Sequence, residues 1–146
     1  MQPATPDPDL EPLDALVGEW LTEATHPALP ATVVHGRSTF EWLAGERFLI
    51  QRSQTDHPDF PDAIAILGAA PDGLSMHYFD SRGVHRVYEA SVGDGVWRMS
   101  RRAPGFSQRF TGTFGDDGRT ISGLWELSAD DASWDDDVAI TYRRRP

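Results

Sequence analysis

Residues 74–102 read LSMHYFDSRGVHRVYEASVGDGVWRMSRR. Apolar and polar residues alternate through three runs, Leu74–Asp80, Val84–Val92 and Val96–Arg102, as in half-buried β-strands. Short glycine-containing turns separate these runs, at Arg82-Gly83 and at Gly93–Gly95, and such turns connect neighbouring antiparallel strands. This stretch therefore predicts consecutive β-hairpins.

The same pattern continues towards both ends of the chain. Seven further runs are Val17–His26, Val33–Leu43, Arg47–Asp56, Ala63–Ala70, Phe106–Phe114, Thr120–Ser128 and Asp137–Arg144. Ten antiparallel strands in a meander predict an all-β fold, a single up-and-down β-barrel, because an open sheet of this length would expose two edges. A barrel of more than about eight strands is wide enough to keep an internal cavity.

The N-terminal residues differ from the rest. Four prolines lie among acidic residues in the first dozen positions, so we expect a flexible lead-in over residues 1–9 and one barrel domain over 10–146. Within Asp9 to Leu16 the leucines have helical spacing, which predicts a short helical turn with Asp9 as its N-cap.

Composition excludes several chemistries. The chain has 146 residues, no cysteine and a formal charge of −10, and all 13 basic residues are arginine. A disulfide scaffold, a thiolate metal site and Schiff-base catalysis by lysine are therefore excluded. The acidic balance argues against nucleic acid and anionic membranes as partners. Without a long apolar run or the layout of a signal peptide, we expect a cytoplasmic protein.

Strand alternation places aromatic and charged residues on one inner surface. Phe48 and Ile50 share parity with Arg52, and the runs after Leu74 and Val84 bring further polar residues to the inside. The candidate ligand-binding residues are the polar Arg52, Tyr78, Asp80, Arg86 and Tyr88 and the aromatic Trp20, Phe40, Trp42, Phe110 and Trp125.

Asp80 and Arg86 lie on neighbouring strands across the Arg82-Gly83 turn, where a cross-strand ion pair is expected. Two interpretations stay open for this pair. It is either an internal salt bridge that holds two strands in register, or a polar anchor for a ligand head group inside an apolar cavity.

Three functions are compatible with such a barrel. The first is binding of a small, partly apolar molecule, with an anionic or carbonyl group favoured because arginine offers a bidentate fork to carboxylate. The second is an enzyme, such as a cyclase, isomerase or dehydratase, that uses interior Tyr, Arg and Asp. The third is a structural barrel that forms a homodimer. The histidines lack the spacing of metal-binding elements, so no metal site is expected.

Several stretches resemble a known family. Gly18-Glu19-Trp20 is similar to the Gly-x-Trp signature of the calycins, the lipocalin and fatty-acid-binding superfamily, in which the Trp plugs the closed end of the barrel. The stretches Phe40–Leu49, Met76–Val84 and Phe106–Phe114 resemble a bacterial family of uncharacterised proteins with a calycin-like barrel. The resemblance implies a ten-stranded barrel and no particular activity.

Nitrobindin, a haem-binding barrel, is the relative with a defined chemistry, and the resemblance brings haem in as a candidate cofactor. Its proximal histidine lies close to the C-terminal end of the barrel. The corresponding strand here, Val138–Arg144, contains no histidine, and the five histidines are His26, His35, His57, His77 and His85. The sequence therefore argues against a haem site of that type.

Overall fold

The computed structural model describes residues 7–146 and confirms the predicted architecture: ten antiparallel strands form one closed barrel. Each strand pairs with its neighbours in sequence, and the first strand pairs with the last, so that no edge remains. The strands are β1 (Gly18–His26), β2 (Leu29–Trp42), β3 (Phe48–Thr55), β4 (Ala63–Ala70), β5 (Gly73–Asp80), β6 (His85–Gly93), β7 (Val96–Arg101), β8 (Ser107–Phe114), β9 (Thr120–Ser128) and β10 (Asp135–Arg144).

Strand β2 begins four residues earlier than the run predicted from the sequence. The added segment contains Pro30, which has no N–H group to donate to a ladder. The β1–β2 pairing is irregular between Ala24 and His26, and Pro30 lies close to that irregularity. A bulge of this kind tolerates the missing N–H group.

A short 3₁₀-helix, Pro8–Leu16, covers one end of the barrel. Its buried residues, Leu10, Leu13 and Leu16, recur every three positions, which places them on one face of a helix with three residues per turn. The expected N-cap is wrong by two positions: Asp7 caps the helix and accepts a hydrogen bond from the Asp9 amide at 2.9 Å. Residues 1–6 of the expected lead-in lie outside the described part of the chain. Within that described part, no helix has the length and apolar character to cross a membrane.

Trp20 lies at the centre of this closed end and is fully buried. Its indole Nε1 donates to the Leu16 carbonyl at 2.8 Å, and the Arg144 guanidinium lies 4.2 Å from the ring centroid. Arg144 also donates to the Val17 and Ala15 carbonyls. These contacts tie the helix to both the first and the last strand, so this end of the barrel is packed shut.

The parity of β3 is the opposite of the one predicted. Leu49 and Gln51 are buried inside the barrel, whereas Arg52 lies on the outer face and donates to Glu41 at 2.9 Å. Because Phe48, Leu49 and Ile50 are all apolar, alternation alone did not identify the inner face. The pairing decides it, since Leu49 lies opposite Leu67 of β4 in the core. Arg52 is therefore not an interior residue.

Candidate functional site

A cavity of about 620 Å³ occupies the half of the barrel away from the helix. Much of its wall is apolar and comes from strands on all sides of the barrel, including Ala24, Val34, Ala65, Met76, Met99 and Ile140. The two methionines are unbranched and adapt their shape readily to what they contact. The barrel therefore encloses a space of the size that small-molecule sites have, roughly 300–1,000 Å³.

A cluster of polar side chains lies on the β5–β6–β8 side of this cavity. Tyr78 and Arg86 stand directly opposite each other on β5 and β6, and the Tyr78 and Tyr88 rings meet edge to face. The Tyr88 hydroxyl donates to Gln108 Oε1 at 3.0 Å. The Arg86 guanidinium lies 5.2 Å from the centroid of the Phe106 ring. All five side chains line the cavity.

Asp80 does not pair with Arg86, and that expectation is wrong. Its carboxylate accepts from the Tyr78 hydroxyl at 2.8 Å and from Arg82 at 2.7 Å. The register explains the difference: Tyr78, and not Asp80, is opposite Arg86, so Asp80 falls at the turn, where Arg82 folds back onto it. Asp80 is buried beside the cavity and does not line it.

These contacts determine the charge states of Asp80, Tyr78 and Tyr88. Hydrogen bonds from Arg82 above all, and from Tyr78, hold the pKa of Asp80 well below its usual range. Burial, reinforced by the nearby Asp80 carboxylate, raises the pKa of Tyr78. Burial also raises the pKa of Tyr88, and the neighbouring Arg86 offsets this only in part. At neutral pH both tyrosines are thus neutral donors, and Asp80 is an anion already paired with a cation.

A second polar pair, His26 and Asp137, lines the opposite side of the cavity, on β1 and β10. His26 Nδ1 accepts from the Ala28 amide at 3.0 Å, and Nε2 lies 2.8 Å from Asp137 Oδ1. Because Nδ1 is an acceptor, the proton of a neutral imidazole is on Nε2 and is donated to Asp137. Both ring nitrogens are therefore engaged.

The predicted aromatic residues separate into two groups. Trp125 lines the cavity. Trp20, Phe40 and Phe110 are at most 2% exposed and belong to the packed core, and Trp42 packs against that core and donates to Asp14. None of these four lines the cavity, because the closed half of the barrel is filled by their rings.

Sequence reasoning missed several residues of the cavity. Arg82 was read as a turn residue, since nothing in its spacing indicates that it folds back onto Asp80. Gln108 has the inner parity of Phe106 and Phe110, so alternation could have identified it. His26 is not among the candidate residues, and its partner Asp137 is far away in sequence.

The cavity does not fit a histidine-ligated haem. His26 is the one histidine among its lining residues, and neither of its ring nitrogens is free to bind iron. In the part of the chain that the structure describes, no group of three or more His, Asp or Glu side chains is arranged to hold a metal ion.

Comparisons with known proteins support the fold alone. No protein-family description matches the chain, and no curated protein matches it. Among solved structures, the chain is similar to the crystal structure of Rv2717c from M. tuberculosis, with a TM-score of 0.69 and 18% sequence identity. That likeness covers 97% of this chain and 100% of the other. The chain thus has the barrel architecture of a solved protein at low sequence identity.

Proposed function

We propose that this barrel binds a small, partly apolar anion in its interior and that Arg86 holds the negative group. One observation carries the proposal: Arg86 lines the cavity, and no carboxylate among the described residues lies within salt-bridge distance of it. Its neighbours are instead the Phe106 ring and Tyr88. Because a half-buried cation gains from an anionic partner, an incoming carboxylate or sulfonate is favoured here.

The cavity lining contains two carboxylates, Asp59 and Asp137, and neither lies within salt-bridge distance of Arg86. Arg82 also lines the cavity, but Asp80 already neutralises it. Asp137 lies on β10, on the far side of the ring of strands from β6. Its carboxylate is engaged with His26 Nε2 on the neighbouring strand β1, at 2.8 Å.

The apolar wall suits the remainder of such a ligand. Met76, Met99 and Trp125 offer flexible and aromatic surface next to the polar group. The cavity would hold roughly 20 water molecules at their liquid volume of about 30 Å³ each. A ligand with one or two rings, or a medium-length chain, is of this size, and expelling water from its apolar part favours binding.

The calycin-like class of barrel is part of the same proposal. The resemblance at Gly18–Trp20 implies a tryptophan that plugs the closed end, and Trp20 has this position beneath the N-terminal helix. One closed end and one open end is the arrangement that a carrier of small apolar molecules requires. This supports ligand binding over a filled, purely structural barrel.

Two fluorescent probes test the proposal. 8-Anilino-1-naphthalenesulfonate is an anion, and N-phenyl-1-naphthylamine has the same rings without the sulfonate. At about 0.3 kcal/mol for each of about 21 non-hydrogen atoms, the anionic probe is expected to bind with a Kd of about 20 µM. We expect saturable one-to-one binding of the anion, measured by fluorescence titration and calorimetry.

Two variants show where the probe binds. Ala65→Leu adds bulk inside the cavity and should weaken binding, whereas Val87→Glu changes an exposed position on the outer face and should leave it unchanged. Thermal unfolding verifies that both variants are folded. The proposal fails if neither probe binds the folded protein, or if Val87→Glu abolishes binding while Ala65→Leu does not.

A further inference from the structure

The outer surface of strands β3–β6 carries a cluster of exposed apolar residues. The outer residues of β3, β4, β5 and β6 form three rows of paired neighbours. The rows are Arg52–Ile64–Phe79–His85, Ile50–Ile66–His77–Val87 and Phe48–Gly68–Ser75–Glu89. Ile64, Phe79, Val87 and Phe48 are each 42–46% exposed although large and apolar. We call these twelve positions the apolar face.

Aromatic rings pack against one another on the β5–β6 side of this face. Phe79 and His85 stack with centroids 4.6 Å apart and planes at 2°, and His77 stacks on His85 at 6.0 Å. The outer positions of β8 and β9 are different, with Arg109 and Glu126 in a bidentate ion pair. The apolar face therefore differs in character from the β8–β9 surface, and exposed apolar patches commonly mark interaction sites.

Opposite charges occupy two diagonal corners of the apolar face. Arg52 lies at the β3 end of the first row, and Glu89 at the β6 end of the third. Three strand spacings of ~4.8 Å and four residues of ~3.4 Å give the face nearly equal sides of about 14 Å. A two-fold axis along the other diagonal, through Phe48 and His85, therefore exchanges the two charged corners.

We propose that the partner of the apolar face is a second copy of this chain. The two-fold axis places Arg52 of each copy on Glu89 of the other and brings Phe79 close to Val87 of the second copy. The two sheets then cross at nearly a right angle, which is one of the two common modes of sheet packing. Charge complementarity with itself favours a second copy over an unrelated protein.

Both charged corners are available for such contacts. Arg52 pairs with Glu41 within the chain, but the two side chains are 51% and 69% exposed, and an ion pair of this kind contributes little. Glu89 has no cationic partner within salt-bridge distance in the described part of the chain. Forming the dimer therefore disrupts no strong interaction.

The size of the face predicts a weak dimer. With sides of about 14 Å, the apolar face covers roughly 200 Å² of each copy, against about 800 Å² for a standard stable interface. Polar residues around the face have to supply the rest of the buried area, and the charge of −10 on each copy opposes association. We therefore expect a reversible monomer–dimer equilibrium whose dissociation constant is micromolar or weaker.

Sedimentation velocity of the full chain, from roughly 1 to 300 µM, tests the proposal. The dimer fraction should rise with concentration. Val87→Glu should weaken the dimer by at least about tenfold, because it buries a charge. The matched control is Val33→Glu, which makes the same change at a 49% exposed position on the outer face of β2 and should leave the dimer intact.

A charge exchange tests the orientation of the two copies. Arg52→Glu and Glu89→Arg should each weaken the dimer about fivefold by placing like charges together, and the double variant should restore it to within about threefold. A monomer at all concentrations overturns the proposal. It is equally overturned by a dimer that survives Val87→Glu, or by a double variant no better than the single ones.

Discussion

Replacing Arg86 by methionine removes the cavity cation that has no carboxylate partner while keeping a long, flexible side chain. In the structure the guanidinium contacts the Phe106 ring and Tyr88, and neither neighbour carries a negative charge at neutral pH. The change should therefore cost the protein little stability. Its main effect should be on the binding of an anion.

The expected size of the effect follows from these surroundings. A hydrogen bond to a charged group contributes about 1.5–3 kcal/mol. The cavity is open at one end, so solvent screens part of the attraction, and the lower half of that range applies. We predict that Arg86→Met weakens binding of the anilinonaphthalenesulfonate anion by about 1.5–2.2 kcal/mol, or roughly ten- to fortyfold.

The assay is a pair of fluorescence titrations with the anionic and the neutral probe. Arg86→Met should change the Kd of the neutral probe by less than about threefold, because that probe has no negative group for Arg86 to bind. The matched control is Arg98→Met, which removes the same charge from an exposed position on β7. It should leave the Kd of both probes unchanged.

Three results would refute the reasoning. Equal weakening of both probes would mean that Arg86 shapes the cavity without holding the anion. Equal effects of Arg86→Met and Arg98→Met would mean that only the overall charge matters. Unchanged binding of the anion would place its sulfonate elsewhere.

Three further predictions concern the scaffold. Asp80→Asn should destabilise the fold at neutral pH, and the difference from the wild-type protein should shrink below about pH 4. A carboxylate whose pKa is lowered in the folded state stabilises the fold above its ordinary pKa of 3.8, and this contribution is lost as the pH falls and the group protonates. Urea unfolding at a series of pH values checks this. Tyr88→Phe removes the donor to Gln108 and should reduce the unfolding free energy by about 1 kcal/mol in the same assay. Gly36→Ala should lower Tm by more than Tyr88→Phe does, because its Cβ would overlap a backbone carbonyl of β3; equal melting temperatures would contradict this.

Alternation predicted the barrel and most of its inner face wherever apolar residues kept to one parity. Leu74, Met76 and Tyr78 share one face of β5 with polar or exposed residues between them, and all three point inwards. In β3, Phe48, Leu49 and Ile50 are all apolar, so alternation does not show which of them face inwards. Only pairing with the neighbouring strands decides that Arg52 points outwards.

The site was harder to predict than the fold, for two physical reasons. The partner of Asp80 depends on how the side chain of Arg82 folds back in a turn, and strand periodicity carries no information about this. Parity also cannot distinguish a ring that fills the barrel from one that lines its cavity. Phe110 and Trp125 are paired neighbours with the same inward parity, yet only Trp125 reaches the cavity.

A crystal structure of the complex with the anilinonaphthalenesulfonate anion would show directly whether Arg86 holds the negative group inside the barrel. We predict one probe molecule inside the barrel, with its rings against Met76, Met99 or Trp125. A sulfonate oxygen should lie about 2.7–3.0 Å from the Arg86 guanidinium. A probe bound on the outer surface, or one inside the barrel with its sulfonate directed away from Arg86, would contradict it.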